Sequence, residues 1–182
     1  MFRLAKPSRD VIRAFLSAQS AQPFSYPEVG CSREQAPSGY VVDCNRIKLG
    51  QGLESFERAK NAMKQWKMFD IPWITLCWPD TPIGAGVTLA VLVSHLGFWS
   101  LNACRIVYVI EEHAASKRCG FAYGTLRQHA EVGEERFTVE YALSRPRTLP
   151  RLGYPYTRAL QKRFARDSKI SMQRSIRSVV GA

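Results

Sequence analysis

The sequence lacks the short signatures that name an activity outright. No two cysteines form a C-x-x-C pair, "GAG" at Gly84 to Gly86 lacks the third glycine of a dinucleotide loop, and no G-x-S-x-G turn occurs. A phosphate loop and a nucleophile elbow therefore have no support. The five cysteines, Cys31, Cys44, Cys77, Cys104 and Cys119, are odd in number and scattered, which predicts free, mostly buried thiols in a reducing compartment and no zinc site. An apolar leader is also missing, because Arg9, Asp10 and Arg13 interrupt the first twenty residues. The expected location is cytoplasmic.

Acid is scarce at one end only. Residues 145 to 182 hold ten Lys or Arg and one acid, Asp167, whereas residues 1 to 144 hold sixteen and fourteen, so +9 of the net +11 sits in the final segment. Charge confined to one element describes that element's exposed face and its electrostatic partners, not the fold.

What is present fits one globular domain over residues 1–182: 46% of residues are hydrophobic and 23% charged. Ile83 to Cys104 has no Asp, Glu, Lys or Arg over 22 residues, the length of a membrane span. Ser94, His95, Gly97 and Asn102 interrupt it, and "VSHLGFWS" reads as a turn between two strands.

Ser8 is a good N-cap, and Val11, Ile12, Phe15 and Leu16 share a helical face, so a short helix is expected within residues 1–22. "YVVDCNRIKL" (40–49) reads as a strand with a parity switch near Arg46. Leu53, Phe56, Ala59, Met63, Trp66 and Phe69 recur at helical spacing and predict a helix over 53–69, stopped by Pro72. "WITLCW", "GVTLAVLVS", "FWSLNACRIVYVIEE", "RCGFAYGTL" and "EERFTVEYAL" are then joined by connections too short for parallel crossovers. The sheet, over 40–143, is expected to be an antiparallel meander, and the fold class α+β.

A basic helix is expected over 153–180. Tyr156, Leu160, Phe164, Met172 and Ile176 form a stripe with a gap at Ser168, and its i+4 spacing winds around a 3.6-residue helix as a curved sheet would require. Arg158, Lys162, Arg163, Arg166, Lys169, Arg174 and Arg177 take the opposite face.

The motifs "SYPEVG", "GYVVDCNRIKLGQGLESFERA", "WKMFDIPW", "GFAYGTL", "GEERFTVE", "SRPR" and "YPYTRALQKRFARDS" occur in this order across about residues 2 to 177. In this the chain resembles a bacterial and plant family catalogued as a domain of unknown function, which itself looks START-like and polyketide-cyclase-like. The resemblance implies a helix-grip fold, with an antiparallel sheet wrapped around a long C-terminal helix and a space between them for an apolar ligand. The family pattern has a further strand before "SRPR". Here Tyr141 runs directly into Ala142, which predicts an open sheet edge.

"HAEVGEERF" brings His129, Glu131, Glu134 and Glu135 together around a turn, a grouping that could bind a metal or move protons. A solvated turn explains it equally, and His129 is expected to face solvent. "EEH" at Glu111 to His113 reads as a hairpin end, and His95 as a hydrogen-bonded structural residue. Trp66, Trp99, Phe121, Tyr123, Tyr156, Leu160 and Phe164 either fill the core or line a cavity.

The leading expectation is a non-enzymatic protein that holds a small apolar or amphipathic molecule with those seven residues and uses no cofactor or metal. One alternative is a hydrolase- or cyclase-like enzyme using the same cavity, with His129 or Tyr123 as proton donor. Another is weak electrostatic contact of the basic helix with nucleic acid or an anionic membrane, which explains only the charged face.

Overall fold

Ser8 starts the first helix as its sequence predicts. In the computed structural model, which describes residues 1–33, 37–113, 117–141, 152–153 and 158–177, β1 (Phe2–Arg3) precedes α1 (Arg9–Ser20). The Ser8 hydroxyl accepts a hydrogen bond from the Val11 N–H at 3.4 Å, satisfying one unpaired amide of the first turn. Ile12, Phe15 and Gln19 form the buried face of α1.

The expected strand over 40–49 is corrected. Only β2 (Val41–Val42) is a strand, and it pairs with the short β8 (Leu152–Gly153) rather than with the main sheet. The polar residues that follow are tied by side chains instead. Arg46 pairs with Glu140, Lys169 donates to the Asn45 amide oxygen at 3.3 Å, and Gln173 donates to the Lys48 carbonyl at 3.2 Å. A segment held this way needs no ladder, so the parity switch at Arg46 marks no bulge.

The helix expected over 53–69 is also shorter. α2 (Gly52–Lys64) ends before Trp66, which adopts a left-handed φ of 57°, and a 3-10 turn over Lys67–Phe69 continues the chain. The apolar spacing survives the break because the tight turn returns Met68 and Phe69 to the core. The Trp66 indole N–H donates to the Thr81 carbonyl at 2.8 Å, which fixes the ring while burying it.

β3 (Ile74–Cys77), β4 (Thr88–Ser94), β5 (Trp99–His113), β6 (Lys117–Thr125) and β7 (Glu134–Tyr141) lie side by side in chain order, each antiparallel to the next. The meander is as the short connections require. β1 adds a sixth strand by pairing with Trp99 and Ser100. A bulge in β5 between Ile106 and Tyr108 shifts its register against β6 and turns Tyr108 to the face opposite Ile106.

Both faces of the sheet are covered. One face carries Leu76, Leu89, Val91, Cys104, Ile106, Phe121, Tyr123 and Val139 and packs against α2, the 3-10 turn and α3 (Arg158–Arg177). On the other face Ala90, Leu92, Leu101, Ala103 and Leu126 pack against Ile12 and Phe15 of α1. Adjacent residues of β4 thus enter different cores, which explains the unbroken apolar run of a strand buried on both sides. No helix among the described residues is long and apolar enough to cross a membrane.

α3 begins later than the expected position 153, because Leu152 and Gly153 belong to β8. Its buried face is Phe164, Ala165, Ser168, Ser171, Met172 and Ile176. Ser168 is thus no gap in the stripe but a buried member of it. Tyr156, the Tyr141-to-Ser144 join and residues 178–180 lie outside the described residues, as does the side chain of Leu160. Cys31, Cys77, Cys104 and Cys119 are free thiols.

Candidate functional site

A cavity of about 940 Å³ opens between α2, α3, β7 and residues 44–52. Its size falls within the range of roughly 300–1,000 Å³ typical of small-molecule sites. α2 contributes Phe56 and Met63 one helical turn or more apart, the 3-10 turn contributes Met68, and α3 contributes Met172. Phe137 and Tyr141 come from β7. Unbranched methionines make such a wall adaptable.

Two hydroxyls in that wall are buried and have no hydrogen-bond partner: Ser168 Oγ on α3 and Thr138 Oγ1 on β7. By contrast Ser171, also on α3, donates to the Lys67 carbonyl at 2.6 Å. A buried hydroxyl left unpaired costs about 1–3 kcal/mol; both oxygens are closed off from the cavity space, and strand alternation turns Thr138 to the face of β7 opposite Phe137 and Val139.

Charged side chains sit at the margins. Arg46, Lys48 and Lys169 contribute positive charge and Glu135 and Glu140 negative, while Arg136 turns to the other face of β7, toward the Arg33 carbonyl at 3.5 Å. Glu140 is engaged by Arg46 and, at 3.2 Å, by Arg118, while Glu135 accepts the Tyr123 hydroxyl at 2.6 Å. The arrangement can accept an apolar body with a polar or anionic end.

The sequence-predicted aromatic residues are not all together. Trp66, Phe121, Tyr123 and Phe164 are buried and pack as one cluster: Trp66 meets Phe121 edge-on at 5.1 Å, and Phe164 lies 5.4 Å from Phe69 and 6.1 Å from Phe137. They stand behind the cavity wall rather than in it, touching it through Phe137 and Glu135. Trp99 does not join them. It lies against the α1-side core, with Lys6 Nζ 5.3 Å above its ring.

The "HAEVGEERF" group is dispersed, correcting the reading of an exposed turn. Strand alternation sends Glu134 and Glu135 to opposite faces of β7, and Glu134 is only 2% exposed. Its carboxylate accepts from the Tyr26 hydroxyl and the Gly30 N–H, both at 2.8 Å, from the Ser32 N–H at 3.2 Å, and from the Ser32 hydroxyl. Ser32 is in turn 2.6 Å from the Tyr108 hydroxyl. This buried carboxylate pins the "SYPEVG" loop and the following 3-10 turn to the sheet. Burial and the Glu134 charge raise the Tyr26 phenol far above its ordinary range, so it stays a donor.

His129 does not point to solvent. It is half-buried, its Nδ1 accepts the Glu131 N–H at 2.9 Å, and desolvation pushes the imidazole down to about 4. His95 bonds Ser100 Oγ through Nε2 at 2.8 Å. Among the described residues no group of His, Cys, Asp and Glu is arranged to hold a metal ion. Sequence reasoning missed Ser168 and Thr138 as wall residues. The available signal was a serine falling on the buried phase of an apolar stripe.

Comparison with known proteins places residues 25–170 in a family described as Domain of unknown function (DUF1990). A UPF0548 protein of Dictyostelium discoideum is 33% identical over 209 aligned residues, covering 98% of this chain and 97% of the relative. An Arabidopsis thaliana UPF0548 protein is 33% identical over 145 residues, 71% of this chain and 70% of that one. A UPF0548 protein of Deinococcus radiodurans is 34% identical over 152 residues, 77% and 75% of the two chains. No solved structure matches the chain.

Proposed function

The chain belongs to the DUF1990 family, and since all the cavity wall except Met172 falls inside the matched region, we propose that it is a binding protein for a small amphipathic molecule held in that cavity. The observation that carries this reading is the cavity itself, about 940 Å³, with an apolar wall of Phe56, Met63, Met68, Phe137 and Met172 and cationic side chains at its margin. The ligand's apolar body lies against Phe56, Met63, Met68 and Met172. Its polar end meets the cationic margin at Lys48 and Lys169. The motifs resemble a family that itself looks START-like, which supports the same reading, because helix-grip folds often hold an apolar ligand between the sheet and the C-terminal helix.

Binding rather than catalysis is favoured because the carboxylates of the wall are already engaged by Tyr123, Arg46 and Arg118. Neither His129 nor Tyr123 presents a free proton donor to the cavity.

The test uses 1-anilinonaphthalene-8-sulfonate, an amphipathic anion, as probe. Wild type is expected to enhance its fluorescence saturably, and Ser55→Trp, which places a large ring at a half-buried position of the cavity wall, to abolish the effect while remaining folded by circular dichroism. Mass spectrometry of organic extracts from protein purified from its own host then identifies the natural occupant. Absence of saturable binding in wild type, or an unchanged affinity in Ser55→Trp, overturns the proposal.

A further inference from the structure

A second surface, none of whose residues lines the cavity, has its own chemistry. The turn between β4 and β5 holds Leu96 fully in solvent, and the antiparallel pairing of β1 with Trp99 and Ser100 carries the chain toward that turn, Leu4 being the first residue past the paired ones. Leu4 is 89% exposed and Phe2 63%. Large apolar side chains so exposed are ordinary when scattered, but these three converge at one end of two adjacent strands.

The base of this protrusion is fixed. The rings of His95 and Phe98 stack with centroids 4.4 Å apart, the Phe2 ring packs against Phe98 at 5.9 Å, and the His95 N–H donates to the Phe98 carbonyl at 2.8 Å. Gly97, at a φ of 87°, supplies the backbone conformation that makes the turn possible. Leu96 is therefore presented by a braced hairpin.

The surrounding charge is mainly positive, the nearest acid in the chain being Asp10, which lies 3.8 Å from Arg13. Residues 1–9 contribute Arg3, Lys6 and Arg9, all exposed, and neither they nor residues 94–99 include an Asp or Glu. Trp99, half-buried with Lys6 over its ring, stands at the boundary between the apolar tip and the folded body. Projecting leucines, an interfacial tryptophan and a cationic surround are the composition that meets a bilayer interface.

We propose that this end of the molecule docks on an anionic lipid bilayer. Leu96 and Leu4 enter the acyl boundary, Phe2 and Trp99 lie at headgroup depth, and Arg3, Lys6 and Arg9 meet the anionic headgroups. A second copy of the chain is a poorer occupant. Three side chains on a protruding turn fall short of the ~800 Å² per partner of a standard protein interface.

The experiment is flotation of the full chain with vesicles of phosphatidylcholine alone and of phosphatidylcholine mixed with phosphatidylserine. Wild type should float with the mixed vesicles, more weakly as salt rises. Leu96→Ser and Leu4→Ser should each reduce binding about tenfold or more, with circular dichroism unchanged, since each removes a buried leucine from the lipid phase. Arg3→Gln with Lys6→Gln should reduce binding and flatten its salt dependence, while Lys162→Gln with Arg174→Gln on α3 should leave it unchanged. The proposal fails if wild type does not float, or if Leu96→Ser floats as wild type does. It fails equally if the α3 variant alone abolishes binding, or if Leu96 supports a dimer in light scattering without any vesicle binding.

Discussion

Tyr26 donates its phenolic hydrogen to Glu134 Oε2 at 2.8 Å, joining residues 108 positions apart. The approach depends on Gly124, where a Cβ would collide with the Tyr26 hydroxyl and the Phe24 ring. Tyr26→Phe removes one of the donors that compensate a buried carboxylate. It should cost about 1–3 kcal/mol, read as a lower urea midpoint with an unchanged slope. Gly124→Ala should destabilise through the same contact, and Tyr26→Phe should then add less than its separate cost.

Acid should weaken the fold through His129. Its pKa is about 4 in the folded protein, against about 6.5 in an unfolded chain, so between those values the unfolded state binds the extra proton. The contribution is complete above about pH 6.5 and is lost as pH falls through about 4, by about 1–3 kcal/mol. Urea unfolding at a series of pH values should show a shallower loss in His129→Gln than in wild type.

On α3 the apolar and charged faces should separate cleanly. Phe164→Ala opens a hole between Phe69 and Phe137 and should cost about 3–5 kcal/mol. Lys162→Gln with Arg174→Gln, at exposed positions, should change stability by less than about 1 kcal/mol. Thermal and urea unfolding of the two variants side by side provide the comparison.

Trp66 sets two effects against each other. Replacement by Gly relieves a left-handed backbone conformation worth about 1–2 kcal/mol, but removes a side chain only 2% exposed whose loss costs about 3–5. Packing should win, leaving Trp66→Gly less stable than wild type. A variant of equal or greater stability would mean that the strain is larger than the burial.

Periodicity revealed α1, the five-strand meander and the apolar phase of α3, because each buries a regular face. It misjudged 40–49, whose β-branched start resembles a strand although side-chain ties to Glu140 and α3 hold the remainder. It carried α2 too far because a single left-handed residue leaves the apolar spacing intact. Glu134 was misplaced for a different reason. A carboxylate is buried only when its partners arrive, and those partners, Tyr26, Gly30 and Ser32, are about a hundred positions away. The cavity was legible only as a resemblance, since its wall combines β7 with segments that no local pattern brings together.

The covering of the sheet on both faces has a kinetic consequence. β3 to β7 pair with their neighbours in the chain, so the meander closes through short loops. α1 and the loop after it attach only when residues about 85 to 108 positions downstream are in place, as the Arg105 bond to Ser20 and the Tyr26 bond to Glu134 show. Closing such distances is slow to be rewarded. The α1 layer should therefore be the last to dock and the first to leave, so that Phe15→Ala speeds unfolding and leaves the refolding rate nearly unchanged. Until it docks, the face formed by Leu92, Leu101 and Ala103 is bare, and the partly assembled chain is most vulnerable to self-association at that stage.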